Sequence, residues 1–402
     1  MKRSFSTVMA TDENPTGTRR GTPFPCIQIF RDFAQSGNAK DKNFVFSPLS
    51  IQLAISLIAN GATGSTLEVL LNFLEAENQD QLKSHASKLI SALTESGNEA
   101  LKLSFLGGMW INQSNELVPN FKTDAETMYK AKAEAVDFKH NAKEIEKTLN
   151  QWAAESTNGL IDSLVPKDSI DESTQLVLAN ALYFKGKWSD KFLKSLTREL
   201  EFYLLGGSTV EVPFMRNMVG SQFIKTCDSL KVLRLPYRES SLSMYILLPH
   251  ARDGLWPLVE KVGSDPLFLD QCTDPTMPAV RVGRFLIPKF KIDYEFEASN
   301  VLKAMGLGLC FADKAEFNEM VIGGGIKVQN VYHRSHIEVE EEGTQAAART
   351  AVRMRSTGGL APRKQPPVVL VNFVADHPFM YMVRDDVNRM VLFMGHVLNP
   401  LC

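Results

Sequence analysis

The chain of 402 residues carries almost no net charge: 44 Lys and Arg against 46 Asp and Glu leave -2 with histidine neutral. That balance excludes a nucleic-acid or anionic-membrane surface as the main partner. Long apolar runs are missing as well, and no stretch approaches the ~20 residues of a membrane-spanning helix. The N-terminus has no apolar core, which excludes a secretory signal. Its Arg and Ser content suits a transit peptide, but Asp12 and Glu13 count against one. Pro15, Gly17, Gly21 and Pro23 fit a disordered tail over residues 1–24. Cysteine is scarce: the five, Cys26, Cys227, Cys272, Cys310 and Cys402, are odd in number, scattered and free of any CxxC, so no disulfide framework is expected. Free thiols and the missing signal predict an intracellular setting, cytosolic or nucleocytoplasmic, in which the sequon at Asn112 goes unmodified.

Catalytic signatures are equally absent. There is no GxSxG, no GxxxxGK[ST] and no GxGxxG, and Gly323-Gly324-Gly325 is most simply a turn. The seven histidines and five cysteines show no nucleophile pairing. His333 and His336 spell HxxH, but residues three apart in a strand face opposite ways and cannot share a metal. The expectation is no catalytic residue, no metal and no cofactor. No repeat of 20–50 residues and no Pro/Gly linker divides the chain, so residues 25–402 are read as one domain, with 44% hydrophobic residues to fill its core.

Helical spacing is concentrated in the first half. Ser50 to Asn60 is mostly apolar and predicts a buried helix between Pro48 and Gly61. Amphipathic helices are predicted over Ser65 to Ala76, Gln81 to Ser96 and Ile145 to Thr157, the last ended by Asn158-Gly159. Strand composition dominates later, after an early stretch at Leu101 to Asn112. It recurs at Gln175 to Lys187, Leu230 to Tyr237, Leu242 to Pro249, Arg281 to Asp293 and Met390 to Leu398. Helices early and strands late indicate α+β.

The most informative stretch is Glu338 to Val352, with a long Arg-bearing, Gly/Pro-rich segment behind it. Read with a period of two, Thr344, Ala346, Ala348, Thr350, Val352 and Met354 share one uncharged face, while Gln345, Ala347, Arg349, Ala351, Arg353 and Arg355 share the other. This is the pattern of a strand with a buried face, written in Ala-rich sequence of poor strand propensity. It runs into Ser356-Thr357-Gly358-Gly359 and then Pro362, Pro366 and Pro367, which read as exposed loop. A segment composed as loop yet patterned for burial in a sheet predicts two conformations.

At this point the residues resemble a known family, the serpins, and most closely the plant serpins. Glu341-Glu342-Gly343-Thr344-Gln345-Ala346-Ala347-Ala348 is similar to their reactive-loop hinge, Asn43 to Ile51 to the start of their first buried helix, and Asn180 to Trp188 to a central strand of their large sheet. Val212 to Met215, Leu235 to Tyr237 and Phe373 to Phe379 match further family segments, in order along nearly the whole chain. The resemblance implies a fold of three β-sheets with about nine helices and a reactive loop over roughly residues 343–372. It gives Ser47, Ser50, Asn180 and His333 the role of a polar cluster beneath the large sheet. Glu341 is placed opposite Lys289, with Trp188 capping the gap where the loop first enters, although an acidic run such as Glu338 to Glu342 is ordinarily just a solvated face.

The implied function is a suicide protease inhibitor. A protease cuts the loop, and the freed side inserts into the large sheet; serpin loop insertion is itself a standard instance of such order–disorder switching. Family spacing puts the cut at Thr357-Gly358, whereas side-chain chemistry favours Arg355-Ser356, and the loop back to Phe379 is longer than usual. Arg349 stands where the family has a small residue. The expected partner of the monomer is a trypsin-like serine protease or an Arg-directed papain-like or metacaspase-type cysteine protease, with no nucleic acid and no membrane. A non-inhibitory serpin-fold binding or chaperone-like protein is the alternative.

Overall fold

The structure is a computed structural model that describes residues 21–35, 39–94, 100–341 and 369–402. The described helices are α1 (Phe24–Ala34), α2 (Pro48–Asn60), α3 (Gly64–Phe73), α4 (Gln79–Thr94), α5 (Pro119–Thr127), α6 (Phe138–Ser156), α7 (Leu255–Ser264), α8 (Phe268–Cys272) and α9 (Ser299–Ala304). The strands are β1 (Phe44–Phe46), β2 (Leu101–Asn112), β3 (Ala131–Val136), β4 (Leu176–Gly186), β5 (Arg198–Tyr203), β6 (Thr209–Met215), β7 (Ser221–Thr226), β8 (Leu230–Pro236), β9 (Leu242–Pro249), β10 (Ala279–Pro288), β11 (Phe290–Glu297), β12 (Asn330–Val339), β13 (Val371–Val374), β14 (Phe379–Asp385) and β15 (Val391–Val397).

The buried helix predicted after Pro48 is α2, and every one of its 13 residues is buried. Ser47 caps it by accepting from the Ser50 N–H, and Pro48 needs no partner for a missing donor. An apolar surface on all sides suits a helix enclosed by the core. It ends with Gly61 as its C-cap, a position that needs glycine because a Cβ there would lie 2.6 Å from the Met320 Cβ.

A five-stranded sheet in the order β11-β12-β4-β2-β3 lies over α2. Its central pair is parallel, from Asn330 beside Val177 to Ile337 beside Phe184, while β11–β12 and β2–β4 are antiparallel. Alternation decides the two faces. Val331, His333, Ser335, Ile337 and Val339 of β12 face α2 and the main core. Tyr332 faces the opposite way, into a second cluster with Leu149 and Ala153 of α6, Ile161, Leu164 and Val165 of the connection after it, and Val177, Ala179, Ala181 and Tyr183 of β4.

The remaining strands join into one ten-stranded assembly, β1-β15-β14-β9-β8-β7-β10-β6-β5, with β13 beside β10. Two hydrogen-bonded sheets are therefore seen among the described residues where three were expected. The link is β10, which pairs with β7 through Ala279 to Arg281 and with β6 through Ile287 and Pro288. The single strand expected over Arg281 to Asp293 is instead two strands in different sheets. Pro288 offers no N–H to a ladder, and the Lys289 N–H turns to Pro213 O, so pairing changes sheets there. The helix expected from Ile145 starts earlier, at Phe138, because Asp137 caps it by accepting from the His140 N–H at 3.1 Å. Of the 1–24 tail, residues 1–20 lie outside the described residues; Thr22 Oγ1 accepts from the Val391 N–H and Phe24 already begins α1.

Candidate functional site

Midway along the β4–β12 seam, Asn180 and His333 are register partners, and their side chains meet beneath the sheet. The hydrogen bonds determine the tautomer. Ser47 N can only donate, and it lies 3.0 Å from His333 Nε2, so Nε2 is the acceptor and Nδ1 carries the proton. Nδ1 therefore donates to Asn180 Oδ1, which also accepts from Ser50 Oγ at 2.6 Å. Ser335 Oγ donates to the same Nε2 at 2.8 Å. His333 is fully enclosed, and burial pushes its imidazole down from 6.5 to about 3, which keeps it neutral. Asn180 Nδ2 is also buried and has no partner among the described residues. The cluster thus spans α2, β4 and β12, with a donor to spare.

A second group of contacts closes the end of the seam where the chain leaves β12. Glu341 is 3% exposed, with Lys289 Nζ 2.8 Å from Oε2 as an ion pair rather than an aligned hydrogen bond, and Thr197 Oγ1 donating to Oε1 at 2.7 Å. Burial pushes the Glu341 carboxyl upward, but Lys289 and Thr197 outweigh it and hold it below its usual value. Trp188 Nε1 donates to Glu340 O at 2.9 Å, and its ring stacks on Tyr237 at 4.6 Å. Lys185, from the end of β4, contacts Glu338 at 3.2 Å and Glu340 at 2.9 Å. Among the described residues of the acidic run, Glu338, Glu340 and Glu341 are thus not simply solvated; they tie the end of β4, the β10–β11 junction and the turn before β5 to the end of β12.

The structure brings Ser47, Ser50, Asn180 and His333 into one cluster and Trp188, Lys289 and Glu341 into another, both along the same seam. His336 points away from His333, stacks on Tyr183 at 5.0 Å and lies 3.5 Å from Asp293. Gly343, Thr344, Gln345, Ala346, Ala347, Ala348, Arg355, Ser356, Thr357 and Gly358 lie outside the described residues. Sequence reasoning missed Ser335, Thr197 and Lys185. Ser335 had a signal, since its parity puts it on the face of His333; the other two meet their partners only through the fold.

These features define an α+β protein built on a closed mixed sheet over a buried central helix. The family model described as Serpin (serine protease inhibitor) matches residues 24–400. Similar proteins include Serpin-Z1B of Triticum aestivum, 41% identical over 407 residues and 99% of each chain. Serpin-ZX of Arabidopsis thaliana is 42% identical over 373 residues, 90% of this chain and 93% of that one. The solved Arabidopsis AtSerpin1, in its native stressed conformation, has a TM-score of 0.85 at 39% identity, covering 95% of this chain and 98% of that one. Uncleaved ovalbumin, at 22% identity and a TM-score of 0.81 over 94% and 98%, shares the fold. The chain belongs to the serpin family, whose model is described by serine protease inhibition.

Proposed function

We propose that this serpin is a single-use inhibitor that traps an Arg-directed protease, a trypsin-like serine protease or a papain-like or metacaspase-type cysteine protease, inside cells and as a monomer. The supporting observation is the parallel β4–β12 pair, with the chain leaving β12 at the end where Trp188, Lys289 and Glu341 cap the seam. A segment that follows β12 and folds back between these strands runs antiparallel to both, the more stable pairing. The reactive bond is Arg355-Ser356: the protease nucleophile attacks the Arg355 carbonyl carbon, the bond to Ser356 N breaks, and that nitrogen leaves with a proton.

The energetics favour insertion only for suitable side chains. Fixing each loop residue costs ~1–2 kcal/mol of backbone entropy, and each ladder hydrogen bond returns ~0.5–1.5 kcal/mol. Burial of the inward face therefore decides the sign. Thr344, Ala346, Ala348, Thr350 and Val352 are small and uncharged, which suits the space above α2. Asn180 Nδ2, unpaired while the sheet is closed, is a donor that an arriving strand can satisfy.

The test is incubation with a panel of such proteases, followed by denaturing gels and mass spectrometry of the released peptide. A complex that survives SDS, with a peptide beginning at Ser356, supports the reading. Cleavage without any complex across the panel replaces it with the non-inhibitory scaffold.

A further inference from the structure

We infer that Cys227 and Cys272 form a dithiol pair, which a small disulfide such as oxidised glutathione converts into an internal disulfide that staples the β7–β8 turn to the end of α8. All five cysteines are free in the structure, and these two lie far apart in the sequence, so their meeting is a product of the fold. Cys227 is the first residue after β7, and its N–H donates to Leu230 O at 2.9 Å, closing the turn into β8. The next strand steadies that turn: the His250 N–H donates to Ser229 O at 2.8 Å, and His250 Nε2 lies 3.0 Å from Cys227 O. Cys272 is the last residue of α8 and is buried. The end of α8 is anchored from two sides. Lys225 Nζ donates to Gln271 O at 2.5 Å, and Arg384 Nη1 donates to Thr273 Oγ1 at 2.5 Å. Lys225 and Cys227 share one face by strand parity, so the strand that grips Gln271 presents Cys227 beside Cys272. The two thiols are hydrogen-bonded to each other.

The exchange has two steps, and accessibility sets their order. Cys227 is half-buried and can be reached from solvent, whereas Cys272 is only 5% exposed. Cys227, as the thiolate, attacks one sulfur of oxidised glutathione. The other sulfur leaves as a glutathione thiolate, and a mixed disulfide remains on Cys227. Cys272 then loses its proton to solvent, and its thiolate attacks the Cys227 sulfur, expelling the second glutathione thiolate. The protein dithiol has given up two electrons and two protons, and the small disulfide has become two thiols. Burial pushes the Cys272 thiol up to about 11; Cys227 adds to that, and Lys225 pulls against it. Capping Cys227 in the first step removes its thiol as a raising neighbour, so the first step primes the second. Contact between the sulfurs makes that second step intramolecular and favours it over release of the mixed disulfide. Cys26 and Cys310 are buried, and burial pushes both thiols up, which leaves them inert to the same reagent.

The experiment uses the full chain carrying Cys402→Ser, which removes the exposed thiol. The folded protein is incubated with oxidised glutathione, then unfolded, alkylated and mapped by mass spectrometry. Two of its four remaining thiols should disappear, and a cross-linked peptide joining Cys227 to Cys272 should be found. Dithiothreitol should restore both thiols. With Cys272→Ser added, glutathione should stay on Cys227; with Cys227→Ser added, Cys272 should remain a free thiol. The proposal is overturned if the parent protein keeps all four thiols. It is equally overturned if the parent holds a lasting glutathione adduct on Cys227 beside a free Cys272, or if the cross-link joins another pair. The parent protein carries both cysteines, so its own peptide map decides the matter even where a serine variant fails to fold.

Discussion

Acid should weaken this protein through His333 before it touches the carboxylates. The folded imidazole titrates at about 3 against 6.5 when free. Its folded value is depressed, so the unfolded chain takes up the proton first. The stabilisation is complete above 6.5 and declines as pH falls toward 3. One pKa unit corresponds to about 1.4 kcal/mol, so His333 alone should cost about 2 kcal/mol between pH 7.5 and pH 5. Burial depresses His396 to about 4, and also lowers His85, so both add declines in the same window. The chemistry at His333 is specific: a proton on Nε2 would face the Ser47 N–H that it now accepts. Urea unfolding of wild type and His333→Gln across pH 7.5 to 5 isolates the term. The variant should be less stable at neutral pH but should lose about 2 kcal/mol less on acidification. In NMR the wild-type His333 ring signals should stay flat over the whole range. Parallel declines in the two proteins, or a ring that titrates near 6.5, would refute the dry, neutral cluster.

Three further outcomes are expected. Thr344→Arg should convert inhibition into plain cleavage, because an unpaired charge buried above α2 costs several kcal/mol, whereas Gln345→Arg should be mild; equal damage on complex yield would mean the assigned faces are wrong. Arg355→Ala should abolish inhibition of Arg-directed proteases while Thr357→Ala barely matters, and a released peptide beginning at Gly358 would move the reactive bond to Thr357. Glu341→Ala removes a buried carboxylate paired with Lys289 and Thr197, and should destabilise the intact form by about 1–3 kcal/mol. That loss should shrink below pH 4.5, since the wild-type Glu341 carboxyl is held below that value when folded and its stabilisation fades as it protonates. A pH-independent difference in unfolding midpoint would argue against the ion pair.

The sequence alone determined the features that are local or periodic. The apolar run after Pro48 gave α2, because a helix apolar on every side can only be enclosed. The alternation from Thr344 to Met354 exposed a strand-like face in a loop composition, since side-chain direction in a strand depends only on parity. The family motifs located Asn180, His333, Glu341 and Lys289. What the tertiary structure decided were the meetings between residues far apart in the chain, which depend on register. Ser47 reaches His333 only because α2 starts beneath the level where β4 and β12 pair, and that contact sets the tautomer. Thr197 joins Glu341 because the turn before β5 rises to the end of the seam. The break at Lys289 came from the competition of two sheets for one chain, which no local pattern around Arg281 to Asp293 records. The carboxylates around Arg334 come from β11 and from the connection after α6, and electrostatic neighbours of that kind appear only once the folded surfaces are brought together.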